Sequence, residues 1–378
     1  MKKIILWLND SAYVNPLSPA CRQCSKGSKL VLFITGLCSM NCFYCPLSEK
    51  KKMKDVIYAD EWMLRGEHDT KKIIQEALYI KASGAGITGG DPLLVWRRTR
   101  RYIKLLKDYF GDGFNIHLYT SGVVNTMRIP DLVRVGLDEI RFHPPPSEWN
   151  NMENTLISDV IKRTVNTGVE TTIEIPAIPQ MENDIVSLIL WADGVGVRYV
   201  NLNELEFSET NSEELTKRGY TVKDSLSSAV LGSEKTALNV LNRIRTMDLS
   251  VGCHYCSVSF KDGVQLKNRI KRRARSIAKP YEVITDEGTL LIGVITHDSL
   301  DKLRGLYGRL IKEYDIPTRF LSFNRFVKQI EVGGWILEEI ADDLRAEGYR
   351  CYLVEQYPTE DKLEVERVEL PLSKGYTK

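Results

Sequence analysis

The stretch Val31-Leu32-Phe33-Ile34-Thr35-Gly36-Leu37-Cys38-Ser39-Met40-Asn41-Cys42-Phe43-Tyr44-Cys45 decides how this chain is read. Its first four residues are apolar, and such a run ahead of a glycine reads as a buried parallel strand. The cysteines that follow are spaced C-x3-C-x2-C. Three thiolates this close can wrap one small iron–sulfur cubane and leave its fourth iron without a protein ligand, whereas an electron-transfer cluster takes four cysteines. An open coordination position is a place for a cofactor or substrate, by the logic that separates catalytic from structural zinc. The loop also sits at the C-terminal end of its strand, where α/β folds place their sites.

A helical stretch over 71–83 leads to a second short strand, 85–88, which ends in Gly89-Gly90-Asp91-Pro92. The cysteine loop, with Tyr44 just before its last cysteine, resembles the radical S-adenosylmethionine (SAM) superfamily. The likeness covers about residues 29–207. It implies a [4Fe-4S] cluster on Cys38, Cys42 and Cys45 whose open iron is chelated by the amino and carboxylate groups of SAM. One electron then cleaves SAM to methionine and a 5′-deoxyadenosyl radical, which takes a hydrogen atom from substrate; the cofactor carries the chemistry and the protein places it. A reductase or other low-potential electron donor is the implied partner. Gly89-Gly90-Asp91 resembles the family's Gly-Gly-Glu motif, which holds the methionine amino group of SAM. Asp91 departs from it by one methylene and has a shorter reach. With Thr120-Ser121-Gly122 at the next strand end, the whole is similar to the group related to pyruvate formate-lyase-activating enzymes.

Strands are expected over 30–34, 85–88, 114–119, 139–142, 170–175 and 199–205, separated by helix-length segments. That alternation predicts right-handed crossovers and a parallel sheet, and six units match the partial (β/α)6 barrel of the resembled family. Polar residues at strand C-termini are candidates for the site. Thr120, Ser121, Arg141, Glu174, Asn203 and Glu206 would meet SAM, as the resemblance implies, and His143 would serve as an acid–base or hydrogen-bonding group near the substrate.

Of the eight cysteines, Cys351 lies alone in an apolar run and reads as a core thiol. Cys21-Arg22-Gln23-Cys24 and Cys253-His254-Tyr255-Cys256 are two C-x2-C pairs. Each is half of a tetrahedral four-cysteine site. Together they predict a metal staple between the N-terminus and the segment after the barrel, holding Zn2+ or, as the alternative, a second iron–sulfur cluster; His254 could displace one thiol but reads first as a surface histidine.

The segment Lys261–Pro280 carries eight basic residues and one acid. Lys267, Arg269, Lys271, Arg272, Arg273 and Arg275 form a candidate footprint for a phosphate backbone; the bland alternative is a solvated helical face. The run Arg97-Arg98-Thr99-Arg100-Arg101 reads as solubilising. Beyond residue 280 a hairpin, two helices and further strands predict a small α/β domain that positions a substrate or partner. The expected organisation is 1–28 with the first C-x2-C, 29–210 as the radical SAM barrel, 211–279 with the second C-x2-C and the basic helix, and 280–378 as the C-terminal domain.

With 52 Lys plus Arg against 50 Asp plus Glu the net charge is +2, so only local patches can attract nucleic acid. No apolar window approaches the roughly 18 residues of a membrane span. The apolar start breaks at Asn9-Asp10, too early for a secretory signal, so the expected location is cytoplasmic. The resulting expectation is a radical SAM enzyme modifying a macromolecule, with RNA or tRNA first. The alternatives are an activase or modifier of a protein, and a non-catalytic metal-stabilised binding protein.

Overall fold

The computed structural model describes residues 2–370; Met1 of the expected N-terminal segment and residues 371–378 of the expected C-terminal domain lie outside the described residues. The chain forms two compact units that divide between Leu266 and Lys267.

In the first unit, β1 (Lys29–Phe33), β2 (Gly84–Thr88), β3 (Asn115–Thr120), β4 (Glu139–Phe142), β5 (Glu170–Ala177), β6 (Tyr199–Glu204) and β7 (Gly252–Cys256) run parallel in the order β7-β6-β5-β4-β3-β2-β1. Strands adjacent in sequence are adjacent in space, joined by helices Thr70–Tyr79, Trp96–Phe110, Ile129–Val133, Leu156–Val165, Glu182–Gly194 and Ser233–Ile244. This is the pattern of repeated βα crossovers. Antiparallel pieces cover both ends: Ala12–Val14 on β7 and Tyr58–Ala59 on β1. Six of the parallel strands fall where the sequence predicts them. The seventh, β7, does not, because its Cys253-His254-Tyr255-Cys256 reads as a metal knuckle.

Period-two alternation sorts each strand's side chains onto two faces. Ile140 and Phe142 of β4, Ile173 and Ile175 of β5, Val200 and Leu202 of β6, and Cys253 and Tyr255 of β7 enter one hydrophobic core. Helices cover it with apolar stripes: Trp96–Phe110 buries Thr99, Tyr102, Ile103 and Leu106 at the spacing of one helical face. The intervening residues, Arg141, Glu174, Asn201, Asn203, His254 and Cys256, point the other way and line a cavity.

The second unit is an antiparallel sheet in the order Leu321–Asn324, Gln329–Val332, Leu290–Thr296, Arg350–Gln356, Glu364–Leu370, with Val283–Ile284 pairing Leu290 and Leu291. Helices Leu300–Lys312 and Gly334–Ala346 bury Leu303, Leu306, Leu310, Leu337, Ala341 and Leu344 with Ile330, Val332 and Cys351. Cys351 is a core thiol. The strand Gln329–Val332 has no counterpart in the sequence reading.

Candidate active site

The cysteine loop leaves β1 and is clamped at once by backbone. Gly90 N donates to Thr35 O and Asp91 N to Leu37 O, both at 2.8 Å, and Gly36 N donates to Lys54 O at 2.7 Å. These approaches leave no room for a side chain: a Cβ on Gly90 would stand 2.2 Å from Leu37 O, and one on Gly36 would stand 1.7 Å from Lys51 O. The Gly-Gly turn therefore abuts the start of the cysteine loop. The strand end is pinned by Arg98, which donates to Ile34 O at 2.7 Å and forks onto Asp55 at 2.6 and 2.9 Å. Arg98 is thus structural rather than solubilising.

Cys38, Cys42 and Cys45 are all half-buried. Burial pushes the Cys38 thiol up, and its neighbours Asp91, Cys42 and Cys45 push the same way. Burial likewise raises Cys42, opposed by its hydrogen bond with Tyr44. Thiols that repel each other's ionisation are relieved by a shared cation, so this donor set fits an iron–sulfur cluster. The loop's backbone is tied to a segment the sequence did not flag: Thr210 Oγ1 donates to Leu47 O at 2.7 Å, and Asn211 Nδ2 to Tyr44 O at 3.1 Å.

Asp91 is fully enclosed. Its Oδ1 accepts from Thr120 Oγ1 at 2.9 Å and Leu93 N at 3.0 Å; its Oδ2 accepts from Ser121 N at 3.1 Å and from the Ser121 hydroxyl. Asp91, Thr120 and Ser121 thus satisfy one another. The carboxylate thus ties the loop after β2 to the end of β3.

Tyr44, Arg141, His143, Glu174, Asn203 and Glu206 do come together, around a cavity of about 260 Å³. Gly89, Gly90, Asp91, Thr120 and Ser121 are not among its lining residues. Arg141 is 3% exposed and pairs with Glu139 at 2.8 Å and Glu174 at 2.7 Å. Burial alone raises the Glu174 carboxyl, but Arg141 and the amides of Asn203 and Asn201 outweigh it and hold it below the usual range. Those amides donate to Glu174 at 2.9 and 3.0 Å. His143 donates from Nδ1 to Glu174 O at 2.6 Å and accepts at Nε2 from the Tyr44 hydroxyl at 2.9 Å. Burial lowers its pKa, so the ring is neutral with both nitrogens engaged. In this geometry His143 is a positioning residue, not a free acid or base. Sequence reasoning missed Asn201, although it alternates with the named Asn203 on β6. It also missed Lys261, whose ammonium meets Glu206 at 2.6 Å in the cavity wall.

The four-cysteine staple is not what the structure assembles. Cys253 and Cys256 are three apart on a strand, so they face opposite sides. Cys253 is in the hydrophobic core, while Cys256 lines the cavity with Cys21 and Cys24. Among the described residues, no three His, Cys, Asp or Glu side chains converge closely enough for a single ion, those of the central loop included.

The basic helix, Lys267–Ile277, also differs from its expected face. Arg273 is buried at 5% exposure, and Lys267 is paired with Glu287 at 2.6 Å. The candidate cations Lys267, Arg269, Lys271, Arg272, Arg273 and Arg275 therefore do not form one uniform solvent-facing patch. No helix among the described residues is long and apolar enough to cross a membrane.

Comparison with known proteins bears on the same site. The family model "Radical SAM superfamily" matches residues 32–144, and "Domain of unknown function (DUF8061)" matches residues 288–370. A protein of Methanocaldococcus jannaschii named "Putative glycyl-radical enzyme activating enzyme" is 42% identical over 362 residues, which cover 94% of this chain and 93% of that one. Among solved structures, Streptococcus suis SuiB bound to S-adenosylmethionine aligns with TM-score 0.43 and 10% identity over 61% of this chain and 50% of its own. SuiB bound to the precursor peptide SuiA aligns with TM-score 0.42, 10% identity, 61% and 48%; this chain thus spans about half the length of SuiB. Neither the family match nor the archaeal relative points to RNA as a substrate. Identity at that level over nearly the full length of both chains, with the family's cysteine loop at the end of β1, means that the chain belongs to the radical SAM superfamily.

Proposed function

We propose that this protein is an activase or modifier of a protein substrate: a radical SAM enzyme that removes a hydrogen atom from a polypeptide, with a glycine Cα–H as the favoured target. The observation that carries this reading is the 42% identity, across both units, to a protein named as a glycyl-radical enzyme activating enzyme. Cys38, Cys42 and Cys45 would hold the [4Fe-4S] cluster, and the remaining open position would receive SAM. When bound, the two supply one-electron cleavage of the sulfonium to methionine and a 5′-deoxyadenosyl radical, which becomes 5′-deoxyadenosine on taking the hydrogen atom and leaves the radical on the substrate.

The chain's own part is placement and exclusion of water. The Gly89-Gly90 turn fixes the start of the cysteine loop through its backbone contacts with Thr35 and Leu37. Glu174 and Asn203 present oriented polar groups within the cavity, and the Arg141 pairing holds Glu174 ionised there. His143, bonded to the Tyr44 hydroxyl, fixes the residue next to Cys45. An electron donor completes the reaction.

The test follows the hydrogen. The reduced, iron-loaded full chain is incubated with SAM and with a cell protein fraction labelled by Cα-deuterated glycine, and in a parallel arm with deuterated RNA. Deuterium appearing in 5′-deoxyadenosine from the protein arm is the expected result. Deuterium arriving only from the RNA arm overturns the reading.

A further inference from the structure

The radical chemistry leaves part of the cavity without a role: the end bordered by the helix Pro19–Ser25 and by β7. We propose that Cys21, Cys24, Cys256 and His254 ligate a second metal centre there, a Cys3His site for a zinc ion or an iron–sulfur cluster. The proposal is independent of the substrate reading above.

The parity of the elements brings this set together. Cys21 and Cys24 are three apart on a helix and share a face, and Ser18 Oγ caps that helix by accepting from Ala20 N. On β7 the residue on the same face as Cys256 is His254, not Cys253. All four proposed ligands line the one cavity. The C-x2-C pattern thus points to metal, but its first cysteine is replaced as ligand by the histidine beside it.

His254 is the independent observation. It is 3% exposed, and neither Nδ1 nor Nε2 has a hydrogen-bond partner. A buried imidazole with both nitrogens unsatisfied is costly; a metal ion is a partner that takes one of them. Its ring is held by edge contacts with Trp7 at 5.6 Å and Phe260 at 6.3 Å between centroids. The sulfurs are provided for in turn. Arg141 Nη2 and Asn201 Nδ2 donate to Cys21 Sγ at 3.8 and 3.7 Å, and Gln265 Nε2 donates to Cys256 Sγ at 3.6 Å. Donors of this kind orient and stabilise metal thiolates. The Arg141 guanidinium and the Lys261 ammonium line the same cavity, where their positive charge offsets part of what three thiolates bring. The donors line the cavity without converging; the thiols of the central loop do not converge either. Occupation would draw them inward and release three thiol protons to solvent.

The test uses the full chain, purified anaerobically after growth with iron and zinc, with Cys38→Ala, Cys42→Ala and Cys45→Ala combined so that the central loop holds no metal. About one zinc per chain without sulfide, or about four irons with about four sulfides, supports the site and names its occupant. Adding His254→Gln or Cys256→Ser should lower retention by about tenfold or more, while Cys253→Ala should retain the metal. A folded, cooperatively melting triple variant with no metal overturns the proposal, and so does equal loss with Cys253→Ala and His254→Gln. Should the triple variant not fold, the same single substitutions are read on the otherwise unmodified chain as metal in excess of the central cluster's share. There, 5′-deoxyadenosine formation is measured in parallel, so failure of the second centre and failure of the radical reading are told apart.

Discussion

The Tyr44 hydroxyl donates to Nε2 of His143 at 2.9 Å, and this single bond ties the residue beside Cys45 to the end of β4. Because Nδ1 of the same ring donates to the Glu174 carbonyl, the neutral tautomer is fixed. Tyr44→Phe removes the donor and leaves a buried nitrogen unpaired. Chemical denaturation should show a loss of about 1–3 kcal/mol; a change of only a few tenths would mean that the bond does not hold the loop.

The same histidine sets an acid limit. Burial holds its pKa below the ordinary 6.5. As pH falls through that value the unfolded chain takes up a proton that the folded chain refuses, so stability present above it is lost below. The slope is up to about 1.4 kcal/mol per pH unit for each such group. His117, buried and lowered likewise, adds a contribution of the same sign. Unfolding free energies measured downward from neutral pH should decline, and His143→Gln should reduce the slope by about one proton.

Asp91→Asn separates two roles. Oδ2 receives both the amide and the hydroxyl of Ser121, and an amide NH2 in its place would face donors. The account expects a stability loss of about 1–3 kcal/mol. A rise in the KM for SAM with unchanged stability would instead assign the carboxylate to the cofactor.

Gly90→Ala puts a methyl group 2.2 Å from Leu37 O, so the turn and the cysteine loop must part. Overpacking of this kind costs about 1–3 kcal/mol. Iron content after anaerobic reconstitution should fall with it; full iron loading would show that the loop tolerates the shift.

Arg141→Met leaves Glu139 and Glu174 without their common cation in a buried setting. Removing one partner of such a pair costs about 3–5 kcal/mol. Arg141→Lys should rescue only part of this, because an ammonium lacks the fork that reaches both carboxylates. Thermal melts of the two variants distinguish the outcomes.

The cluster loop was legible because its three cysteines are local in sequence and follow an apolar strand. The parallel strands were legible from short apolar runs set between helix-length segments. The second C-x2-C was misread because that spacing is compatible with both a metal knuckle and a strand, and only pairing with β6 shows that Cys253 and Cys256 diverge. Arg98 and Asn211 were invisible for a different reason: their partners, Asp55 and the Tyr44 carbonyl, are 43 and 167 residues away, and no local pattern encodes such contacts. Asp91 was placed by motif, yet three of its four hydrogen bonds arise from the meeting of two strand ends.

The most direct test of the central claim is the yield of 5′-deoxyadenosine from SAM when the full chain, reconstituted with iron and sulfide, is chemically reduced under anaerobic conditions. The account predicts that the nucleoside and methionine form together and that Cys42→Ala abolishes both. An equal yield from Cys42→Ala, or none from the iron-loaded parent chain, would contradict it.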